Sequence, residues 1–234
     1  IYMKNNTFIE NNKIITIIAY LLFFLSIPVY ADFTKTWENA SPSVVSVLPT
    51  WPGYEKPGFG APPGTAPEGS GVIISTDGII VTASHVVSSA TEVIVRDING
   101  VKYDAEIIFN DVDTDLALLQ TNIINKNIII NDTRPKIGSK TCLISNSFGL
   151  DLNITCGVVS SNKKSKIGFN EIEDFIQIDA AANPGSSGGA VVNAKGELIG
   201  IMSGIFTKQS DTNVGVNFAI SSDLLNRTVY QMLK

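Results

Sequence analysis

The chain of 234 residues is poor in the side chains on which polar chemistry usually draws. It has one histidine, two cysteines, and 17 basic against 22 acidic residues. One imidazole and two thiols are too few for a zinc site of the usual kind, so no metal and no cofactor is expected. The net charge of −5 comes without a basic patch. Lys163-Lys164-Ser165-Lys166 is the densest basic spot and reads as a solvated loop, so nucleic acid is not an expected partner.

Long apolar runs are scarce as well. Ile14–Ile27 is uncharged but short for a membrane span, and Pro28 interrupts it. With Met3-Lys4 before it and Val29-Tyr30-Ala31 after it, residues 1–31 read as a secretory signal cleaved after Ala31. The alternative is an uncleaved membrane anchor. No second such run follows, so the mature chain, 32–234, is expected to lack a membrane span and to lie outside the cytoplasm, in the periplasm. Cys142 and Cys156 fit that oxidising compartment. They lie in strand-like runs, Lys140–Ser145 and Ile154–Ser160, and face each other if the runs pair. A disulfide and two buried thiols both stay open.

What is present is a chain with 44% hydrophobic and 17% charged residues, the balance of a globular protein. Short apolar runs alternate with turn signals. Ser43–Leu48, Gly71–Ser75, Ile79–Thr82, Glu92–Arg96, Lys102–Phe109 and Leu116–Thr121 form a first group of strands. Thr141–Ser145, Thr155–Ser160, Phe175–Asp179, Gly189–Asn193, Glu197–Ser203 and Val214–Ala219 form a second. Asp77-Gly78, Asn99-Gly100 and Lys195-Gly196 supply hairpin turns. The pattern predicts an all-β fold of two antiparallel six-stranded barrels, one over about 40–121 and one within 136–234, joined by 122–135. Ser222–Leu225 opens a stretch of helical spacing with Ser221 or Ser222 as its cap, so a C-terminal α-helix should lie on the second barrel. Pro49–Glu68 holds six prolines among four glycines and reads as a long exposed loop.

Three positions carry the chemistry. His85 stands in Thr82-Ala83-Ser84-His85-Val86-Val87, Asp115 in Asp113-Thr114-Asp115-Leu116-Ala117-Leu118-Leu119, and Ser187 in Asn183-Pro184-Gly185-Ser186-Ser187-Gly188-Gly189. An imidazole takes the proton of a serine, an aspartate orients the imidazole, and glycine turns leave N–H groups free for an oxyanion. Asp111 and Asp113 compete for the acidic role. Asp115 is preferred because it enters the buried Leu116–Leu119 strand directly. The order points to a serine endopeptidase with its cleft between the two halves. A Gly-x-Ser-x-Gly elbow, which an α/β esterase would need, is missing around Ser187.

These residues resemble the HtrA/Deg serine proteases of the chymotrypsin-like clan. The likeness runs through Gly69–Ser75, Val81–Val87, Asp113–Leu119, Gly157–Ser160, Ile178–Gly189, Gly196–Ile201 and Val216–Ile220, about residues 33–234. It implies a chymotrypsin-like pair of barrels, His85 as general base, Asp115 as its partner and Ser187 as nucleophile. It also implies an oxyanion hole from the N–H groups of Gly185 and Ser187, helped by the turn through Ser186. The pocket floor falls at Ala181, followed by Ala182, with Ile201–Ile205 as an apolar wall. Cleavage after small or medium aliphatic residues of unfolded or extended chains is expected, whereas Asp179 in the pocket would favour basic ones. The family's C-terminal PDZ module is not expected here. Its Asn-Asn-His reads Ala83-Ser84-His85, and its Gly-Asn-Pro-Phe-Gly reads Ser145-Asn146-Ser147-Phe148-Gly149. Phe33 and Trp37, by the same likeness, pack between subunits of a homotrimer. The alternative is that they cap the chain's own barrel. A protease fold that binds proteins without cutting them is the competing function.

Overall fold

Both halves of the chain build strands from short apolar runs stopped by glycine turns. The computed structural model describes residues 32–53, 67–124, 126–205 and 213–232, with Lys13 and Thr16 alone before them. The expected signal segment, and Tyr54 and Phe59 of the proline-rich loop, lie outside the described residues.

The first barrel consists of β1 (Val44–Thr50), β2 (Gly69–Ile73), β3 (Ile79–Ala83), β4 (Glu92–Arg96), β5 (Lys102–Asp111) and β6 (Leu116–Gln120). The second consists of β7 (Lys140–Ser145), β8 (Asn153–Lys164), β9 (Phe175–Ile178), β10 (Ala190–Asn193), β11 (Leu198–Ile205) and β12 (Asn217–Ser221). Each closes on itself, and the two share one spatial order, β1-β2-β3-β6-β5-β4 and β7-β8-β9-β12-β11-β10. Every pairing within them is antiparallel. Gly78, Gly100 and Gly196 all have φ near +80°, as the turns at Asp77-Gly78, Asn99-Gly100 and Lys195-Gly196 require. Cys142 and Cys156 sit opposite each other on β7 and β8 and are joined as a disulfide.

Side-chain alternation explains why several strands are apolar on both faces. In β6, Ala117 and Leu119 point into the first barrel with Ile73, Ile80 and Val95. Leu116 and Leu118 point out of it, into a layer shared with Ile144, Val192, Leu198 and Ile220 of the second barrel. Leu143, Ile176, Ile178, Val191 and Met202 fill the second barrel. Two barrel interiors and one layer between them therefore form the core, and each buried leucine or isoleucine in it contributes about 1.5–3 kcal/mol.

A short helix, α1 (Thr34–Ala40), precedes the first barrel and lies on the second. Thr36 Oγ1 donates to Ala194 O at 2.9 Å. Phe33 and Trp37 pack against the shared layer, and Lys140 Nζ stands 5.7 Å from the Phe33 ring. The connecting segment is stitched to both barrels, with Ile128 N–H donating to Ile73 O and Asn131 N–H to Leu198 O. At the end, α3 (Ser222–Met232) is capped by Ser221 Oγ, which accepts from Leu224 N–H at 3.2 Å. Its Leu224 and Leu225 are buried on the shared layer. Among the described residues no helix is long and apolar enough to cross a membrane.

Candidate active site

The first barrel makes half of the site by strand register. β3 and β6 pair with Ala83 opposite Leu116, so the residues just beyond them, Ser84 and Asp115, are neighbours. Ser84 N–H donates to Asp115 O at 3.0 Å. The chain then turns into the one-turn helix α2 (Ser84–Val87), whose Val86 and Val87 are buried in the barrel and leave His85 facing out. Asp115 itself sits at φ +60°, a left-handed conformation uncommon outside glycine, and is 6% exposed.

The Asp115 carboxylate is surrounded by donors. His85 N–H lies 3.0 Å from Oδ1, His85 Nδ1 lies 2.9 and 3.0 Å from the two oxygens, and Ser203 Oγ donates to Oδ2 at 2.6 Å. With the imidazole proton on Nδ1, that nitrogen donates to the carboxylate and Nε2 is left as the basic nitrogen. Asp111 is spent on its own turn, accepting from Asp113 N–H and Thr114 Oγ1. Asp113 meets barrel two through its backbone carbonyl, which accepts from Ile172 N–H at 2.8 Å.

The second barrel makes the other half with a turn, Asn183–Gly189, between β9 and β10. Gly185 takes φ +92° and Gly188 φ +83°. Among the described residues, neither Gly185 N–H nor Ser187 N–H donates a hydrogen bond. Phe148 N–H donates to Pro184 O at 2.7 Å, and in that trans peptide the Gly185 N–H points the opposite way. The Ser186 N–H, expected to help hold an oxyanion, is committed to Asn183 O at 2.9 Å. Its buried hydroxyl instead meets Ser145 Oγ and Ser147 Oγ at 3.1 and 2.9 Å.

The turn is held from the first barrel. Ser70 N–H donates to Ser187 O, and Ser70 Oγ donates to Gly185 O at 2.7 Å while accepting from Asn146 N–H. A Cβ on Gly188 would come within 2.0 Å of Ser70 O, which is why only glycine fits. Ser187 Oγ makes a long 3.5 Å contact to Ser203 O and, among the described residues, none to His85. Serine and imidazole are thus not joined, and Ser203 touches both sides, its carbonyl near Ser187 Oγ and its hydroxyl on Asp115.

The expected pocket residues separate. Ala181 is exposed, and its carbonyl accepts from Thr155 Oγ1 at 2.6 Å. Ala182 is buried with Met202 in the second barrel, and Ile205 packs at that cluster's edge. Ile201, expected in the pocket's apolar wall, is fully buried in the layer between the barrels with Phe218, Ile220 and Leu224. Asp179 turns back over β8, where its Oδ1 accepts from Val158 N–H at 2.6 Å. Among the described residues, no group of three or more His, Cys, Asp or Glu could hold a metal.

Sequence reasoning missed Ser203 and Ser70. Ser203 is the extra residue of a β-bulge, since Met202 pairs with Ala219 and Gly204 with Phe218. The bulge re-aims its hydroxyl at Asp115, and nothing in one strand's pattern shows that. Ser70 had a faint signal, a small polar residue inside Gly69-Ser70-Gly71, where close backbone approach is expected.

A family model described as the trypsin-like peptidase domain matches residues 69–201. The chain is 40% identical over 171 residues to the periplasmic serine endoprotease DegP of Escherichia coli strain K12, covering 71% of this chain and 36% of that protein. The chain therefore spans little more than a third of the length of that curated relative. Among solved structures, the HtrA-type protease AlgW with a decapeptide superposes with a TM-score of 0.75 at 31% identity, covering 87% of this chain and 68% of that one. A serine endoprotease from Yersinia pestis gives 0.73 at 32%, covering 88% and 68%.

Proposed function

The chain belongs to the trypsin-like peptidase domain family, with HtrA-type members among its relatives, and from that premise we propose that it is a serine endopeptidase. The observation that carries the reading is one buried carboxylate, Asp115, gripping His85 Nδ1 at 2.9 Å, with Ser187 and two free N–H groups on the facing turn.

Ser187 Oγ swings from Ser203 O towards Nε2 and attacks the scissile carbonyl carbon, giving its proton to His85. Asp115 stabilises the resulting imidazolium. The carbonyl oxygen becomes an oxyanion held by Gly185 and Ser187 N–H. Collapse breaks the C–N bond, and His85 returns the proton to the leaving amine. Water then attacks the acyl-enzyme by the same route, freeing the acid and restoring Ser187.

The substrate is an extended or unfolded polypeptide, cleaved after small or medium aliphatic residues, because Ala181 puts no charge at the pocket and Asp179 is engaged elsewhere. A chromogenic peptide panel with fastest release after arginine contradicts that preference. The setting is extracytoplasmic protein quality control, a reading supported by the name of the periplasmic relative and by the disulfide. A homotrimer built through Phe33 and Trp37 is testable by light scattering, where a monomer mass at micromolar concentration ends the idea.

A second reading is a binding protein on a protease fold, favoured by the absent bond between Ser187 Oγ and His85. Fluorophosphonate labelling of the native chain beside Ser187→Ala, followed by casein digestion, separates the two. Labelling and casein loss in the native form alone establish the endopeptidase. Labelling of neither form leaves the binder.

A further inference from the structure

The segment between β8 and β9 has no place in the chemistry above, yet it touches the backing of Asp115 from two directions. Glu173 gathers it. Its carboxylate accepts from Ile167 N–H at 2.6 Å, Gly168 N–H at 2.7 Å, Phe169 N–H at 2.8 Å and Asn170 N–H at 3.3 Å. Burial alone would disfavour the charged form, but the four amide donors outweigh it and hold the carboxyl below its ordinary range.

The loop so folded reaches the other barrel at the turn that presents Asp115. Ile172 N–H donates to Asp113 O at 2.8 Å, and Asn170 Nδ2 donates to Thr114 O at 3.3 Å. Phe169 meanwhile stands edge-on to Phe175 and Phe218, with ring centroids 6.3 and 5.6 Å away. The ring lies over Gly204, where an added Cβ would come within 3.0 Å of it. Gly204 follows Ser203, the hydroxyl donor to Asp115 Oδ2. One loop thus braces both the backbone that carries Asp115 and the strand that carries its second donor.

We propose that Glu173 is a positioning residue for the Asp115–His85 pair, acting through the 167–172 loop. This rests on the endopeptidase reading only for its effect on rate. The geometry it fixes exists whether or not the chain cuts peptides. Exchanging the carboxylate for an amide removes its charge and sets an NH2 group against the N–H donors, which loosens the Asp113–Thr114 backbone and lets Asp115 drift within its left-handed turn. A displacement of that size near a reacting group costs rate more than binding.

His85 is the chain's only histidine, so the Nδ1 proton shared with Asp115 gives one assignable far-downfield proton NMR signal. The test follows that signal in the full chain as native, Glu173→Gln, Asn170→Ala and, as a control, the exposed neighbour Glu171→Gln. The expected result is an upfield move and about tenfold faster solvent exchange in the first two variants, the scale of one lost hydrogen bond, and no change in the control. Casein-peptide turnover should fall about tenfold or more in kcat, with KM within about twofold. A signal unmoved in both Glu173→Gln and Asn170→Ala overturns the proposal, whatever the activity. A signal that moves while the native chain cleaves nothing supports the positioning role and removes the endopeptidase reading. Should Glu173→Gln not fold, Asn170→Ala carries the test alone, because it deletes only the bond to Thr114.

Discussion

The two barrels share a strand order and differ in how each holds its part of the site. In the first, His85 lies just past the end of β3 and Asp115 just before the start of β6, and the register Ala83 to Leu116 makes them neighbours. In the second, Ser187 rides a turn of left-handed glycines tied to a strand only past the serine, where Gly188 N–H donates to Met202 O and Gly189 O accepts from Met202 N–H. That turn is fixed by hydrogen bonds from Ser70 of the other barrel and from Phe148. Register is a cooperative property of many bonds; a turn rests on a few. The lesson is that the imidazole half should lose less to a single change in its surroundings than the serine half, which should be sensitive to each of its clamps.

The largest effect that breaks the comparison removes a reacting group. Ser187→Ala should cost about 10⁶-fold in kcat on a protein substrate, measured by casein-peptide release, with the fold intact by circular dichroism. On the register-built side, Asp115→Asn keeps shape but favours the wrong imidazole tautomer, and about 10⁴-fold in kcat should be lost. Gly188→Ala sharpens the contrast in stability. It asks for a Cβ within 2.0 Å of Ser70 O at φ +83°, and denaturant unfolding should show a loss of about 2–4 kcal/mol. Ser70→Ala deletes a donor to Gly185 O and an acceptor for Asn146 N–H without adding bulk. Fluorophosphonate labelling should slow by about 10–100-fold, while the His85 proton signal stays where it is. A shift of that signal as large as the labelling defect would show that the two halves are not separately held.

The smallest effect is acid sensitivity confined to one loop. Glu173 is held below the ordinary carboxylate range when folded, so the order it gives is fully present above that range and is lost as pH falls through its lowered value. Amide exchange at Ile167–Asn170 should therefore stay protected from neutral pH down past the ordinary carboxylate range and rise only in stronger acid. Loss of protection nearer neutrality would contradict the four-donor account.

Much of this architecture is readable before any coordinates. Strand positions follow from alternation and from glycines that only a positive φ explains, as at Gly78, Gly100 and Gly196. β6 was legible as a strand because Leu116-Ala117-Leu118-Leu119 is apolar throughout, and the structure supplies the reason, two cores on its two faces. What stayed hidden depends on pairs of segments. The direction of Ile201 is set by which side of β11 meets the first barrel. Ser203 faces Asp115 because β11 carries one residue more than β12 there. Ser70 matters because two barrels dock, and no periodicity within one strand encodes a docking. Phe148 adopts φ +60°, a conformation that its residue type gives no cause to expect.

The bulge at Ser203 has a consequence in time. Its hydroxyl serves Asp115 and its carbonyl serves Ser187, so one residue spans both halves. The bulge exists only against β12, which is the last strand of the fold. A chain emerging from its N-terminus carries His85 and Asp115 first and Ser187 later, yet the brace that relates them arrives only when β12 is in place. A copy made only as far as β11 therefore holds His85, Asp115 and Ser187 before the bulge that relates them can form.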